Sequence, residues 1–485
     1  MKHIHFIGIC GVGMSSLAIL WKKKGWRVTG SDVGFYPPIS THLTKHGIEY
    51  YPGWHTERIG ATAPPLPLPL KEGETTKPDL VVVGNVAGSQ NPEWQFVQDN
   101  KIPYLSYPEL IAQNLVKTNS IVCAGTYGKT STTALLAWIL GRAGYNPAYM
   151  FGGLSLDLEE SADDPAPSPS ALGATPPRAG GVSEWSVLEG DEYKTSRWDD
   201  RAKFFSYRPT HLLLTAVEWD HADLYPTVRD YYDAFIKLVG MIPNSGIIVA
   251  SDKIPAEILQ AANKVKIIQY GTTTGDFIYT NIKQNQTGLE FDITHGDKTY
   301  HLACPIIGEY NAENICGAFA MAETIGIKPE TIIASVNNWH GLKRRLEKRG
   351  EINGADVFDD IAHSPAKARA VLKTLKTIYS GKIFAIFEPN TGNRQAQAAP
   401  QYDQAFAFAD TVIIPHLTKI KIKPGEKIIE GPELTKIIMR THGQVKYFEY
   451  DKNLIAFIKE TARPGDAVVW LGSHSFRGMI DEIIL

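Results

Sequence analysis

The sequence predicts an α/β fold in three domains: a Rossmann-like N-terminal domain over 1–116, a central phosphate-loop domain with a small antiparallel sheet over 117–340, and a second Rossmann-like domain over 341–485. Three observations carry this. The chain has 485 residues, too many for one core and about right for three domains. Apolar strand-like runs alternate with helical periods, the pattern of parallel sheets built from βαβ units. Two of those runs end directly in glycine turns that open helices.

The first unit runs from Ile4-His5-Phe6-Ile7, through Gly8-Ile9-Cys10-Gly11-Val12-Gly13-Met14, to a second strand at Trp26-Arg27-Val28-Thr29. A Pro-rich stretch from Ala61 to Pro78 reads as a long surface loop before the strand Asp79–Val83. A connector near Asn114–Asn119 sets the first boundary, and the strand Ile121-Val122-Cys123-Ala124 then leads into the second glycine turn. Residues 157–181, rich in Pro, Ala, Ser and Gly, read as an exposed insertion with no packed core of its own. From Phe277 to Cys304, short alternating strands with turns near Gly288 and Gly296 predict an antiparallel patch. The third block begins near Gly341, with strands at Ile383–Phe387, Thr411–Ile414 and Ala467–Trp470.

Bulk properties exclude several classes. A net charge of −3 argues against general nucleic-acid binding or a polybasic membrane surface. Cys10, Cys123, Cys304 and Cys316 form no C-x-x-C pair, so they indicate neither a zinc–thiolate site nor a disulfide framework. The N-terminus passes straight into a strand without a signal-peptide pattern, and no apolar run reaches the length of a membrane span. The cytoplasm is the expected location, without membrane insertion.

Gly125-Thr126-Tyr127-Gly128-Lys129-Thr130-Ser131 is the most informative segment. A strand, a glycine turn and a helix aim backbone N–H groups and a helix N-terminus at one point, which suits a phosphate. Lys129 can reach a terminal phosphate and the Thr130 hydroxyl can hold Mg²⁺. The predicted ligand is a nucleoside triphosphate. In the first glycine cluster, Gly11 and Gly13 permit close approach to a diphosphate, and Asp32 after Gly30-Ser31 can meet a ribose hydroxyl; close helix–strand packing is the plainer alternative. The spacing departs from G-x-G-x-x-G, so NAD does not follow.

Glu189-Gly190-Asp191-Glu192 follows an apolar strand, where acids can ligate Mg²⁺ or orient its waters; a solvated acidic loop is the alternative. Glu218-Trp219-Asp220-His221 also follows a strand, and His221 is a candidate second metal ligand, although a lone histidine is more often an ordinary surface or core residue. Asn311 and Asn314 lie on one helical face and can read adenine, or Asn311 can cap its helix. Lys343-Arg344-Arg345 is a phosphate clamp or a solvated patch. Asp359-Asp360-Ile361-Ala362-His363 closes a strand, well placed for a site at a sheet edge.

In this order, the motifs resemble the Mur ligase family, the ATP-dependent amide-forming enzymes of peptidoglycan assembly, over nearly the whole chain. The resemblance implies a UDP-sugar domain, a central ATPase and a C-terminal domain that brings the amine. Tyr36-Pro37-Pro38, Gly84-Asn85, Asp191-Glu192-Tyr193, the run from Asp199 to Pro209 and Asp220-His221-Ala222-Asp223 are similar to the branch that uses UDP-N-acetylmuramate itself as acyl donor. The implied acceptor is the recycled tripeptide L-alanyl-γ-D-glutamyl-meso-diaminopimelate. L-Alanine is the alternative, and a non-catalytic ATP-binding regulator is the reading from another class.

The implied roles follow the same resemblance. Lys129, Glu192 and His221 serve catalysis, and Thr130, Glu192 and His221 hold Mg²⁺. Gly125, Thr126, Gly128, Lys129, Thr130, Ser131, Asn311, Asn314, Arg345 and Asp360 bind ATP. Gly11, Gly13, Met14, Ser31, Asp32, Asn85 and His363 bind substrate. The chain departs from the family pattern at Tyr127, Ala216, Tyr310 and Ser364. Phe235 stands where other branches carry a carbamylated lysine.

Overall fold

The computed structural model describes residues 1–60, 77–165, 184–221, 223–419 and 427–484. Residues 61–76 of the predicted surface loop at 61–78, and 166–181 of the predicted insertion at 157–181, lie outside them. Three sheets organise the chain, and it divides into two compact units. One holds residues 1–281, 291–302 and 312–339; the other holds 282–290, 303–311 and 340–485.

The first sheet is wholly parallel, in the order Glu49–Pro52, Arg27–Asp32, His3–Ile7, Leu80–Val83, Tyr104–Ser106. Chain order reverses at His3–Ile7, so a crevice opens beyond the carboxyl ends of that strand and its neighbours, the usual ligand position in such sheets. The glycine cluster lies there. Its helix, Val12–Lys23, buries Leu17, Ala18, Ile19, Leu20 and Trp21 against the sheet. Gly13 is required by close approach: a Cβ there would stand 2.7 Å from the Tyr107 hydroxyl.

In the second sheet the parallel strands run Ala148–Met150, Trp185–Gly190, Asn119–Ala124, His211–Leu214, Ile247–Ser251, Lys266–Gly271. Their near-continuous apolar sequences reflect burial on both faces. The strands Phe277–Asn285, Gly288–His295 and Lys298–Cys304, the expected patch attached to this domain, extend the same sheet, with Tyr270 and Gly271 paired to Phe277 and Ile278. At the opposite edge the exposed-insertion expectation needs correction for 157–165. Ala162–Asp163 pairs antiparallel with Tyr149 and Met150, and Glu160, Ser161 and Ala162 are buried. Ser161 hydroxyl to Gly153 carbonyl, and Ser161 carbonyl to Phe151 N–H, hold that turn in place.

The third sheet runs Glu347–Ile352, Ala355–Asp360, Ala467–Gly472, Ile383–Glu388, Thr411–Pro415, Val445–Phe448, with only the first strand antiparallel. Leu372, Leu375, Phe387 and Leu434 fill one face and Leu454, Ile458, Trp470 and Ile480 the other, giving a doubly wound layer structure. Among the described residues no helix is long and apolar enough to cross a membrane.

Candidate active site

The phosphate loop joins the strand Asn119–Ala124 to the helix Lys129–Arg142. Gly128 caps that helix at φ 78°, a conformation side chains resist, and a Cβ there would lie 2.3 Å from Asn314 Oδ1. Thr126 N–H donates to the Ala216 carbonyl at 2.8 Å, and the Thr126 hydroxyl donates to the Glu218 carbonyl at 2.7 Å. The Thr215 hydroxyl donates to the Tyr127 carbonyl. Ala216 and Tyr127 therefore shape the loop through their backbones, which explains why unusual side chains at those two positions leave its form intact. Ser131 lies in the helix's first turn, and Asn314 is placed beside the loop.

Lys129, Glu192 and His221 converge. Lys129 Nζ lies 2.8 Å from Glu192 Oε2 and also donates to the Thr126 carbonyl at 3.2 Å. Glu192 is buried, and its backbone carbonyl accepts from the Tyr225 hydroxyl at 2.6 Å. His221 Nε2 stands 3.6 Å from Glu192 Oε1, long for a hydrogen bond, so the contact is chiefly one of charge. Glu192 holds the His221 imidazole above its ordinary pKa against the opposing effect of burial, with Asp220 and Asp191 adding to the rise.

The Thr130 hydroxyl donates to Glu189 Oε1 at 2.8 Å, which leaves its lone pairs free to face a cation. Desolvation raises the Glu189 carboxyl above its usual range despite bonds from Gly152 and Thr130 and the charge of Lys129. Thr130 and Glu192 supply the hard oxygen donors that Mg²⁺ takes beside retained waters, while His221 offers a softer nitrogen. Glu192 Oε2 is buried and makes no hydrogen bond, although Lys129 neutralises its charge. Phe235 is fully buried in the core, and Lys237 instead lies over the Phe205 ring.

A cavity of about 250 Å³ adjoins this cluster, lined by Gly11, Gly13, Met14, Asn85, Glu189 and Asp191 among others. It joins residues of the first glycine crevice to acids of the central sheet. Asn85 donates through Nδ2 to the Lys194 carbonyl at 3.0 Å, while its buried Oδ1 has no hydrogen-bond partner. Asp32 accepts from Cys10 N–H at 2.8 Å and Val33 N–H at 2.7 Å, and burial outweighs both bonds to raise its pKa. Ser31 is fully buried and its hydroxyl donates to Glu93, so it supports the crevice floor.

Sequence reasoning marked Glu189 and Asp191 as candidate Mg²⁺ acids but not as cavity walls, and it missed Tyr107 and Lys203 as site residues. Desolvation works against the Asp191 charge, but the adjacent Lys203 ammonium more than offsets it and holds the carboxyl below its usual range. The clustering of Glu189 with Asp191 at a strand end was the available signal. Nothing local marked Tyr107, and Lys203 was marked only as part of the run from Asp199 to Pro209.

The other compact unit contains Asn311, Arg345, Asp360 and His363. Asn311 Nδ2 donates to the Ile307 carbonyl at 2.9 Å. Buried Asp360 accepts backbone N–H bonds from Leu346 and Ala362, both 2.8 Å, and desolvation raises its pKa despite them. Arg345 is exposed. Its neighbour Arg344 is fixed by Asp359 and by the carbonyls of Ser473, at 3.0 Å, and His474, at 2.8 Å. His363 Nδ1 lies 2.7 Å from the Ile361 carbonyl, which places the proton on that nitrogen. Burial lowers its pKa, and nearby Lys367 adds to the effect.

A phosphate loop whose lysine meets a buried acid, beside a crevice at a parallel-sheet switch point, defines a nucleoside-triphosphate-binding protein with a second ligand crevice next to its phosphate site. Three family models match the chain in succession: Mur ligase family, catalytic domain, over 3–117; Mur ligase middle domain over 123–322; and Mur ligase, glutamate ligase domain, over 344–474. The chain belongs to the Mur ligase family, and so acts as an ATP-dependent ligase of peptidoglycan synthesis or recycling.

It is similar to the UDP-N-acetylmuramate–L-alanyl-gamma-D-glutamyl-meso-2,6-diaminoheptandioate ligase of Haemophilus influenzae, 29% identical over 492 residues, covering 100% of this chain and 99% of that one. The crystal structure of the UDP-N-acetylmuramate:L-alanyl-gamma-D-glutamyl-meso-diaminopimelate ligase from Neisseria meningitides is 30% identical with a TM-score of 0.59, covering 71% of this chain and 100% of that one. The UDP-N-acetylmuramate–L-alanine ligase of Rhodospirillum centenum is 28% identical over 495 residues, covering 99% of this chain and 93% of that one.

Proposed function

We propose that the protein joins the carboxylate of UDP-N-acetylmuramate to the amine of L-alanyl-γ-D-glutamyl-meso-diaminopimelate, with conversion of ATP to ADP and phosphate. The observation that carries this is the Lys129–Glu192–His221 cluster beside a cavity lined by Gly11, Gly13 and Asn85. The sugar carboxylate attacks the γ-phosphate, giving an acyl phosphate and ADP. The amine then adds to the acyl carbon, phosphate leaves, and the amine proton is lost.

A free carboxylate is a poor acyl donor, and phosphorylation supplies the leaving group. Phosphoryl transfer is governed by positioning and charge neutralisation. Lys129 and the loop amides meet the β- and γ-phosphates, with Gly125, Thr126, Gly128 and Ser131 shaping the cradle. Asn314 reads the adenine, a role the family resemblance also gives to Asn311. Thr130, Glu192 and His221 would hold Mg²⁺, which when bound would supply charge neutralisation at the transferred phosphoryl group. Gly11, Gly13, Met14, Asp32 and Asn85 receive the UDP-sugar, with Ser31 beneath them. The family resemblance also assigns Arg345 and Asp360 to the nucleotide and His363 to the substrate.

The tripeptide is favoured by the Tyr36-Pro37-Pro38 segment, by the run from Asp199 to Pro209, and by the names of the Haemophilus and Neisseria relatives. L-Alanine is the second reading, supported by the Rhodospirillum relative's nearly equal identity. Phosphate release with ATP, Mg²⁺ and UDP-N-acetylmuramate distinguishes them. Turnover is expected with the tripeptide. Turnover with L-alanine alone would move the enzyme to the biosynthetic step, and silence with both would overturn the acceptor assignment.

A further inference from the structure

A second group of metal-binding side chains shares no residue with the nucleotide site. His42 lies on the short helix Ile39–Lys45 and His46 closes that helix one turn later, so both imidazoles leave the same face. Facing them is Glu160, 2% exposed, from the turn that leads into the edge strand Ala162–Asp163. His42 Nε2 is 2.9 Å from Glu160 Oε2, and His46 Nε2 is 3.0 Å from Glu160 Oε1. The two rings meet edge-on, with centroids 4.9 Å apart.

The two histidine contacts differ. His42 makes a hydrogen bond to the carboxylate. His46 Nε2 and Glu160 Oε1 approach out of line, so both atoms are buried without a hydrogen-bond partner. Leaving such atoms unsatisfied is unfavourable, and native structures seldom do so without an ion or water to account for it. Lys23 does not remove the need: its Nζ lies 3.4 Å from Glu160 Oε1 and 3.5 Å from Glu159 Oε2, and its side chain is partly in solvent.

We propose that His42, His46 and Glu160 bind one divalent transition-metal ion of the zinc type, with a water completing a tetrahedron. Two imidazoles and one carboxylate match that ion's donor preference, whereas Mg²⁺ and Ca²⁺ favour oxygen-rich sets. Tetrahedral bonds of about 2.1 Å place ligand atoms about 3.4 Å apart; the carboxylate–imidazole spacings here are 2.9 and 3.0 Å, and one ligand atom from each of the three residues lies within 4.8 Å of the others, so side-chain rotation brings them onto one ion. The ion ties the helix after Tyr36-Pro37-Pro38, in the first domain, to the edge hairpin of the central sheet. Its role is that of a structural clip, since its ligands are outside the reaction cluster.

The test uses the full chain stripped with EDTA, then titrated with Co²⁺ and with Zn²⁺ in excess Mg²⁺. Expected are the intense visible bands of tetrahedral Co²⁺, saturating at one equivalent and displaced by Zn²⁺, with a rise in melting temperature on Zn²⁺ addition. The H42Q/H46Q variant should lose the bands and the thermal rise, with Zn²⁺ affinity at least a hundredfold weaker. E160Q, which preserves both rings, should weaken binding at least tenfold and serves if the double variant does not fold. Absence of tetrahedral bands in the parent protein, or identical bands in a folded variant, would overturn the site.

Discussion

Replacing Glu192 by Gln keeps the side-chain shape but removes the charge on which the reaction cluster is organised. In the parent, Lys129 Nζ and Glu192 Oε2 are 2.8 Å apart with side chains 13% and 2% exposed. At an effective dielectric near 20, the attraction at that distance is about 6 kcal/mol before desolvation is subtracted. Breaking a buried pair by removing one partner typically costs about 3–5 kcal/mol. Gln retains an acceptor for the ammonium, so a loss near the lower end, about 3 kcal/mol, is expected.

Two further consequences separate this account from simple destabilisation. His221 owes its raised pKa first to Glu192, so its titration midpoint in E192Q should move down, as read by NMR of the imidazole. A raised histidine pKa contributes stability that is complete below the unfolded-state value and disappears as pH rises through the folded-state value. E192Q should therefore lose most stability on the acid side of that window. Phosphate release should fall by about 10³ or more, since a catalytic charge is worth several kcal/mol. An E192Q protein with turnover within threefold of the parent and an unmoved His221 titration would refute the arrangement.

Lys129→Ala should abolish ATP turnover while leaving UDP-N-acetylmuramate binding measurable by calorimetry; parental ATP hydrolysis would remove the nucleotide assignment. Gly13→Ala places a Cβ 2.7 Å from the Tyr107 hydroxyl, so UDP-sugar affinity should fall by about tenfold or more. Nucleotide affinity, measured separately, should hold in that variant. His211 is pressed to a pKa of about 4 by burial in its strand. Its unfolded form binds the proton first as pH falls, so the native state loses about 2 kcal/mol between pH 7 and pH 5. The melting temperature of H211Q should fall less over that interval than the parent's; an equal fall would assign the acid sensitivity elsewhere.

The sequence alone determined the three sheets and the phosphate loop, because those signals are local. Apolar runs at Ile121–Ala124 and Leu212–Leu214 form strands in any sheet that buries both faces, and Gly128 meets a positive φ that few other residues tolerate. Family resemblance then supplied Lys129, Glu192 and His221 as partners, although each belongs to a different loop. Only the tertiary structure decided which atoms meet. Residues 157–165 have the composition of a loop, yet pairing with Tyr149 and Met150 makes them a sheet edge and buries Glu160. Tyr107 and Lys203 became cavity walls, and Arg344 rather than Arg345 became the fixed member of its pair, through contacts with residues distant in sequence. The same physics placed His42 and His46 opposite Glu160: helical spacing gave the two rings a common face, but only long-range packing could bring a carboxylate from 118 residues away.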